Sequence, residues 1–206
     1  MKWDGTGRDR RFIDPEEHSI FFLRQYISGG GYDKSETNQL ILNLKKSPNV
    51  PRGQLYYKNQ AIEKFASELQ RLIGKTKQRA AVTWIPTSKA KSDPEHDNRL
   101  YQVVSRACAG IPNLIPTELF ISKSTVASLH NGGERNPINI SRNWDICDAD
   151  LGGCKGVYII DDVLTTGSSM RAAIDLTREN FDNISVAGIV WAFAVDDPNP
   201  FGDIVD

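Results

Sequence analysis

The stretch that most constrains this chain is residues 157–169, Val-Tyr-Ile-Ile-Asp-Asp-Val-Leu-Thr-Thr-Gly-Ser-Ser. Its four leading apolar residues, Val157 to Ile160, are too few for a helix and suit a strand buried on both faces of a parallel sheet. Asp161 and Asp162 follow at the carboxyl end of that strand, the edge at which open α/β sheets hold ligands. The turn Thr165-Thr166-Gly167-Ser168-Ser169 then leads into a helix. Gly167 allows close backbone approach, the four hydroxyls donate, and successive amides at a helix start favour an anion. Residues 165–169 are therefore candidate phosphate contacts. The two acids before them suit ribose hydroxyls or a magnesium ion.

Around this motif the chain alternates strands and helices, which predicts an α/β fold with a parallel sheet flanked by helices. Ser19 to Ile27 reads as an edge strand ending at Ser28-Gly29-Gly30-Gly31. Ser35 to Lys46 fits either period, alternating at Leu40, Leu42 and Leu44 or forming a helical face with Ile41, and a start at Ser35 or Thr37 favours helix. After Ser47-Pro48-Asn49-Val50-Pro51 comes an amphipathic helix with Ile62, Phe65, Ala66, Leu69, Leu72 and Ile73 on one stripe and Gly74 beyond its end. Ala80 to Ile85 is a strand, followed by the polar loop Pro86 to Ser92 and a helix opened by Asp93-Pro94 and closed by Gly110 and Pro112. Taken alone, that loop is a solvated surface loop; beside a helix start, Lys89 and Lys91 favour an anion.

Leu114 to Ile121 reads as a third strand, and Ser122 to Arg142 as a long polar loop. Such a loop is either a mobile insertion or a lid, and as a lid it would deliver Lys123 and Arg135 as cations. Trp144 and Ile146 anchor its return to the core. Met170, Ala173, Ile174, Thr177 and Phe181 make the buried stripe of the helix after the central motif, and Ser185 to Val195 is the last strand.

A length of 206 residues supports one α/β core with at most a small appended subdomain. The net charge of -1 provides no general basic field, so any phosphate affinity is local. Cys108, Cys147 and Cys154 have no Cys-x-x-Cys spacing and are odd in number, which points to reduced thiols in a cytoplasmic protein. The charged N-terminus is unlike a secretory signal, and no apolar run reaches membrane-spanning length, so no membrane partner is expected. Residues 1–18 read as a polar tail that docks through Trp3, Phe12 and Ile13. His18, His96 and His130 are scattered and read as surface residues, so no Ser-His-Asp or Cys-His arrangement is expected.

The strand, the paired acids and Thr-Thr-Gly-Ser-Ser together resemble the signature of the type I phosphoribosyltransferases, which bind phosphoribosyl pyrophosphate. Leu129, Glu134-Arg135-Asn136, Leu151 and Gly156 to Gly167 are similar to the competence-associated ComF-type branch of that superfamily. The zinc ribbon that often precedes the domain in that branch has no counterpart among these three cysteines. The resemblance implies a small N-terminal hood and tail within residues 1–56, a core over residues 57–206, and a lid that closes during turnover. It also implies that Asp161 and Asp162 meet the ribose hydroxyls and act on Mg2+ mainly through water. Thr165 to Ser169 would cradle the 5'-phosphate, and Ser88 and Lys89 would lie at the pyrophosphate loop. Arg99 is the weaker candidate there and reads as a surface charge.

The implied reaction transfers phosphoribose to a nitrogen acceptor with release of pyrophosphate, assisted by Lys89 and the lid cations Lys123 and Arg135. The acceptor is not legible in the hood, where Tyr26, Tyr32, Tyr56 and Tyr57 could stack on a ring but more often pack. The superfamily commonly forms homodimers. The competing expectation is a non-catalytic module that senses phosphoribosyl pyrophosphate or a nucleotide within a nucleic-acid-processing or defence assembly.

Overall fold

The alternation of apolar strands with amphipathic helices produces a parallel sheet covered on both faces. The computed structural model describes residues 1–2, 12–125 and 136–198. One five-stranded sheet contains β1 (Ser19–Ile27), β2 (Ala80–Trp84), β3 (Leu114–Pro116), β6 (Gly156–Leu164) and β7 (Ser185–Val195). Their order is β1-β7-β6-β2-β3, and every neighbouring pair is parallel. A separate antiparallel pair joins β4 (Phe120–Ser122) to β5 (Trp144–Ile146). The helices are α1 (Glu36–Leu44), α2 (Arg52–Ile73), α3 (Arg99–Cys108), α4 (Pro137–Arg142) and α5 (Ser168–Asn180).

Strand order locates the crevice. From β2 the chain steps outward through α3 to β3, whereas from β6 it steps the other way through α5 to β7. Right-handed crossovers in opposite directions put their helices on opposite faces and leave a switch point between β2 and β6. The packing agrees: α1, α2 and α3 share one core with Val82, Ile160 and Trp191, while α5 shares another with Val157, Ile159 and Val190. On the first face Phe65 stacks on Trp191 at 4.7 Å between ring centroids, and Trp191 Nε1 donates to Glu68 at 2.8 Å. Arg24 of β1 donates to both oxygens of the same carboxylate, so one half-buried acid ties β1 and β7 to α2.

The expected helix at Ser35 forms because the Ser35 hydroxyl accepts from Asn38 N at 3.0 Å, and Ser185–Val195 is the last strand as expected. Ser19–Ile27, taken from the segment expected to form tail and hood, is the outermost strand beside β7.

Four expectations are corrected. The strand expected over Leu114 to Ile121 divides, because Pro116 cannot donate to a ladder and Thr117 makes the last bond to Val82 O before Phe120 joins β5. The helix expected at Asp93 starts at Arg99: the Asp93 carboxylate instead accepts from Glu95 N and the Thr125 hydroxyl, and Asp97 Oδ1 accepts from Arg99 N. Leu72, placed on the buried stripe of α2, is exposed. Within the loop expected from Ser122 to Arg142, Ser122 belongs to β4 and Pro137–Arg142 is helical, begun by the Asn136 side chain accepting from Ile138 N.

Candidate functional site

β6 continues through Asp161 and Asp162 to Leu164, four residues past the run of apolar side chains from which its end was expected. The extension is one-sided. Pairing with β2 stops at Ile160, where Ile85 N donates to Ile160 O at 2.9 Å, while pairing with β7 runs on to Leu164. The acids therefore lie where β6 has lost its neighbour on the β2 side, at the switch point. Beyond them Gly167 takes φ 86°, a left-handed conformation that favours glycine, and α5 starts at the next residue. A Cβ at Gly167 would lie 2.5 Å from Ile13 Cγ1, so the N-terminal segment seals this turn from behind. Thr165 is exposed, Thr166 and Ser169 are half-buried, and Ser168 is buried with its hydroxyl 2.8 Å from that of Thr166. Residues 165–169 are thus brought together as a short turn with its amides at a helix start, an arrangement suited to an anion.

Strand alternation sends the two acids to different faces. Asp162 points into a chain of charges under α1, α2 and α3. Its Oδ1 lies 3.0 Å from Lys45 Nζ, at the end of α1, and its Oδ2 accepts from Arg99 Nε and Nη2 at 3.2 and 2.8 Å. Arg99 Nη1 donates to Asp97 Oδ2 at 2.9 Å, and the same oxygen accepts from Lys58 Nζ at 2.7 Å. Lys58 is buried and also donates to the carbonyls of Leu44 and Lys46. Arg99 is therefore not a surface charge: it bridges two buried carboxylates. Asp-x-Arg at Asp97 to Arg99 was the available local signal, whereas nothing near Lys45 indicates a partner so distant in sequence.

This chain separates the two acids electrostatically. Burial alone would raise the Asp162 carboxyl, but Lys45 and Arg99 hold it below the usual carboxylate range. Asp161 is raised by burial and by the neighbouring Asp162 charge. Its Oδ1 accepts from Asp162 N at 2.8 Å, and among the described residues it forms no ion pair. Burial lowers the Lys58 ammonium, against the opposing pull of Asp97.

The remaining expected site residues are more dispersed. Ser88 is exposed, and Lys89 in the same loop lies 3.3 Å from Glu95 and 3.6 Å from Asp93. Lys123 sits at the β4–β5 pair, donating to Arg142 O at 3.0 Å and lying 3.3 Å from Asp145. Arg135 lies outside the described residues, as do Glu134, Leu129, His130 and Trp3. His18, read as a surface residue, is buried at the start of β1. Among the described residues no cluster of three or more His, Cys, Asp or Glu side chains could hold a metal, and no helix is long and apolar enough to cross a membrane.

No family model matches the chain. A search of curated proteins likewise finds no match. Among solved structures the chain is similar to a hypoxanthine phosphoribosyltransferase from Staphylococcus aureus, at 16% identity over 70% of this chain and 68% of that one, with a TM-score of 0.37. It is similar to adenine phosphoribosyltransferase from Leishmania tarentolae at 10% identity over 85% and 91% of the two chains, TM-score 0.43. The enzyme from Trypanosoma brucei, in complex with AMP, pyrophosphate and ribose-5-phosphate, gives 11% identity over 90% of each chain, TM-score 0.40.

Proposed function

We propose that the β6–α5 turn binds phosphoribosyl pyrophosphate together with Mg2+, and that the protein is a cytoplasmic phosphoribosyltransferase passing phosphoribose to a nitrogen acceptor. The observation that carries this reading is the left-handed Gly167 between the paired acids and the first turn of α5. In this reading the amides and hydroxyls of Thr165 to Ser169 take the 5'-phosphate, and Asp161 orients the ribose through its hydroxyls. The bond from the anomeric carbon to pyrophosphate breaks, pyrophosphate leaves with the electron pair, and the acceptor nitrogen forms the new bond to that carbon. Positive charge grows on the ribose ring meanwhile, and Asp161 favours it when ionised.

The residues suit magnesium held largely by the substrate. Both Asp162 oxygens are already engaged, and Asp161 forms no ion pair among the described residues, so this turn offers about one carboxylate and water, as a strongly hydrated ion accepts. Bound magnesium would neutralise charge on the departing pyrophosphate. Ser88 and Lys89 supply the second anion contact in this reading, which requires Lys89 to exchange Glu95 and Asp93 for the ligand.

A second reading, a module that senses phosphoribosyl pyrophosphate without turning it over, is favoured by one observation: Asp162 is tied to Arg99 and Lys45 and so is not free for the sugar. The two are separated by incubation with phosphoribosyl pyrophosphate, Mg2+ and a panel of purines, pyrimidines and simple amines. Acceptor-dependent pyrophosphate release supports the transferase; binding with no release from any acceptor supports the sensor.

A further inference from the structure

Lys45 combines a fixed backbone with a movable charge. It follows the last residue of α1, a helix pinned at its first turn to the end of β1: the buried Asn38 side chain accepts from Ile27 N and donates to Ile27 O, both at 3.0 Å. The carbonyls on either side of Lys45, those of Leu44 and Lys46, both accept from the buried Lys58 ammonium. Lys58 also binds Asp97, and Asn49 Nδ2 donates to Pro94 O at 3.2 Å, so the segment carrying Lys45 borders the loop between β2 and α3. From that anchored position a flexible four-carbon stem carries the Lys45 ammonium to the end of β6, 3.0 Å from Asp162 Oδ1.

Lys45 and Arg99 hold the two oxygens of Asp162, and they are not equally committed. Arg99 binds Oδ2, donates to Asp97 as well, and has a side chain only 17% exposed. Lys45 binds Oδ1, forms no second ion pair among the described residues, and has a side chain 42% exposed. An ion pair that open to water is screened and readily exchanged. The Asp161 carboxyl, pushed up by burial and by the Asp162 charge, is pulled back by Lys45, so the same ammonium acts on both acids. The other lysines expected at the site are paired elsewhere, Lys89 with Glu95 and Asp93, and Lys123 with Asp145. Release of Lys45 has two consequences. Oδ1 becomes free to accept from a ribose hydroxyl while Arg99 still holds Oδ2, and a mobile ammonium is left without its acid beside the sugar.

We propose that Lys45 is a substrate-binding residue that changes partner: the ribose takes Asp162 Oδ1, and the displaced ammonium moves to the pyrophosphate group on the same sugar. The claim rests on the reading of the β6–α5 turn as a donor site. The test compares phosphoribosyl pyrophosphate with ribose 5-phosphate, which has the same sugar and 5'-phosphate but no pyrophosphate. Each is titrated calorimetrically, at one fixed Mg2+ concentration, into the full-length wild type, Lys45→Met and Lys45→Arg. The proposal expects Lys45→Met to lose about tenfold or more in affinity for phosphoribosyl pyrophosphate, as loss of a charge-assisted hydrogen bond requires, and to stay within about threefold for ribose 5-phosphate. Lys45→Arg, which keeps the charge, should stay within about threefold of the wild type for both. Methionine keeps the length of the stem and leaves Asp162 paired with Arg99, so the variant should fold, and a thermal melt beside the wild type checks this. Equal losses for the two ligands in Lys45→Met overturn the proposal, since Lys45 would then only position Asp162. So does unchanged affinity for phosphoribosyl pyrophosphate in that variant. A wild type that binds neither ligand overturns the donor-site reading and the proposal with it.

Discussion

Two strand-end loops flank the switch point, and they would hold the proposed anions by different means. The loop after β6 spans three residues, Thr165 to Gly167, and presents backbone amides fixed by one left-handed glycine. The loop after β2 runs from Ile85 to Asn98 and presents side-chain charges that are already paired, Lys89 with Glu95 and Asp93, and Lys91 with Glu118. A backbone cradle is complete before a ligand arrives. A side-chain cradle must give up its ion pairs first, and exposed ion pairs contribute at most about 1 kcal/mol, so the exchange is inexpensive. The short loop therefore fixes position and the long loop can adapt. The buried chain from Lys58 through Asp97 and Arg99 to Asp162 ties the two together.

The sharpest way to break this comparison is to cut that chain. Asp162→Ala leaves Arg99 and Lys45 without their shared acid, and removal of one partner from a buried pair should lower stability by about 3 kcal/mol in urea unfolding. Asp161→Ala, which breaks no ion pair among the described residues, should change it by under about 1 kcal/mol. Equal losses would show that Asp162 is not the tie. Gly167→Ala comes next, because it meets both the left-handed backbone and Ile13; about 2 kcal/mol of stability should go, together with phosphate affinity.

A pH titration of stability sharpens the contrast between the two acids. Asp161 titrates above the ordinary range when folded, so the native state keeps its proton longer, and stability should fall as pH rises from about 4 through the raised value. Asp162 titrates below that range, so its contribution is present above about pH 4 and is lost as pH falls through the depressed value. Asp161→Asn should flatten the decline toward neutral pH and leave the acid limb in place; an unchanged slope would show that Asp161 does not cause it. The smallest effect belongs to Lys89→Ala. Its pairs are solvent-screened, so stability should hardly change, while affinity for pyrophosphate should fall several-fold, readable by competition.

The short loop was legible in the sequence because its signals are local. A hydrophobic run, two acids, a glycine and a run of hydroxyls within thirteen residues are enough to place a strand, a turn and a helix start. The long loop was not legible for the same reason. Asp93-Pro94 has the local form of a helix start, but Thr125, from a distant segment, and Glu95 take its carboxylate, and the helix waits for Arg99. Arg99 looked like a surface charge because its partners, Asp162 and the Lys58-bound Asp97, are assembled only when α2, α3 and β6 pack. Lys45 is the extreme case, since its approach to Asp162 depends on how α1 lies over the sheet. Local chemistry survives in sequence; ion pairs made by tertiary packing do not.

The central claim, that the β6–α5 turn is a donor site, is tested most directly by calorimetric titration of phosphoribosyl pyrophosphate into the protein with and without Mg2+, in the wild type and in Gly167→Ala. The account predicts one-to-one binding strengthened by Mg2+ and reduced at least tenfold in Gly167→Ala, with the variant still folded in a parallel melt. No binding to the wild type at millimolar ligand, or equal binding to the folded variant, would contradict it.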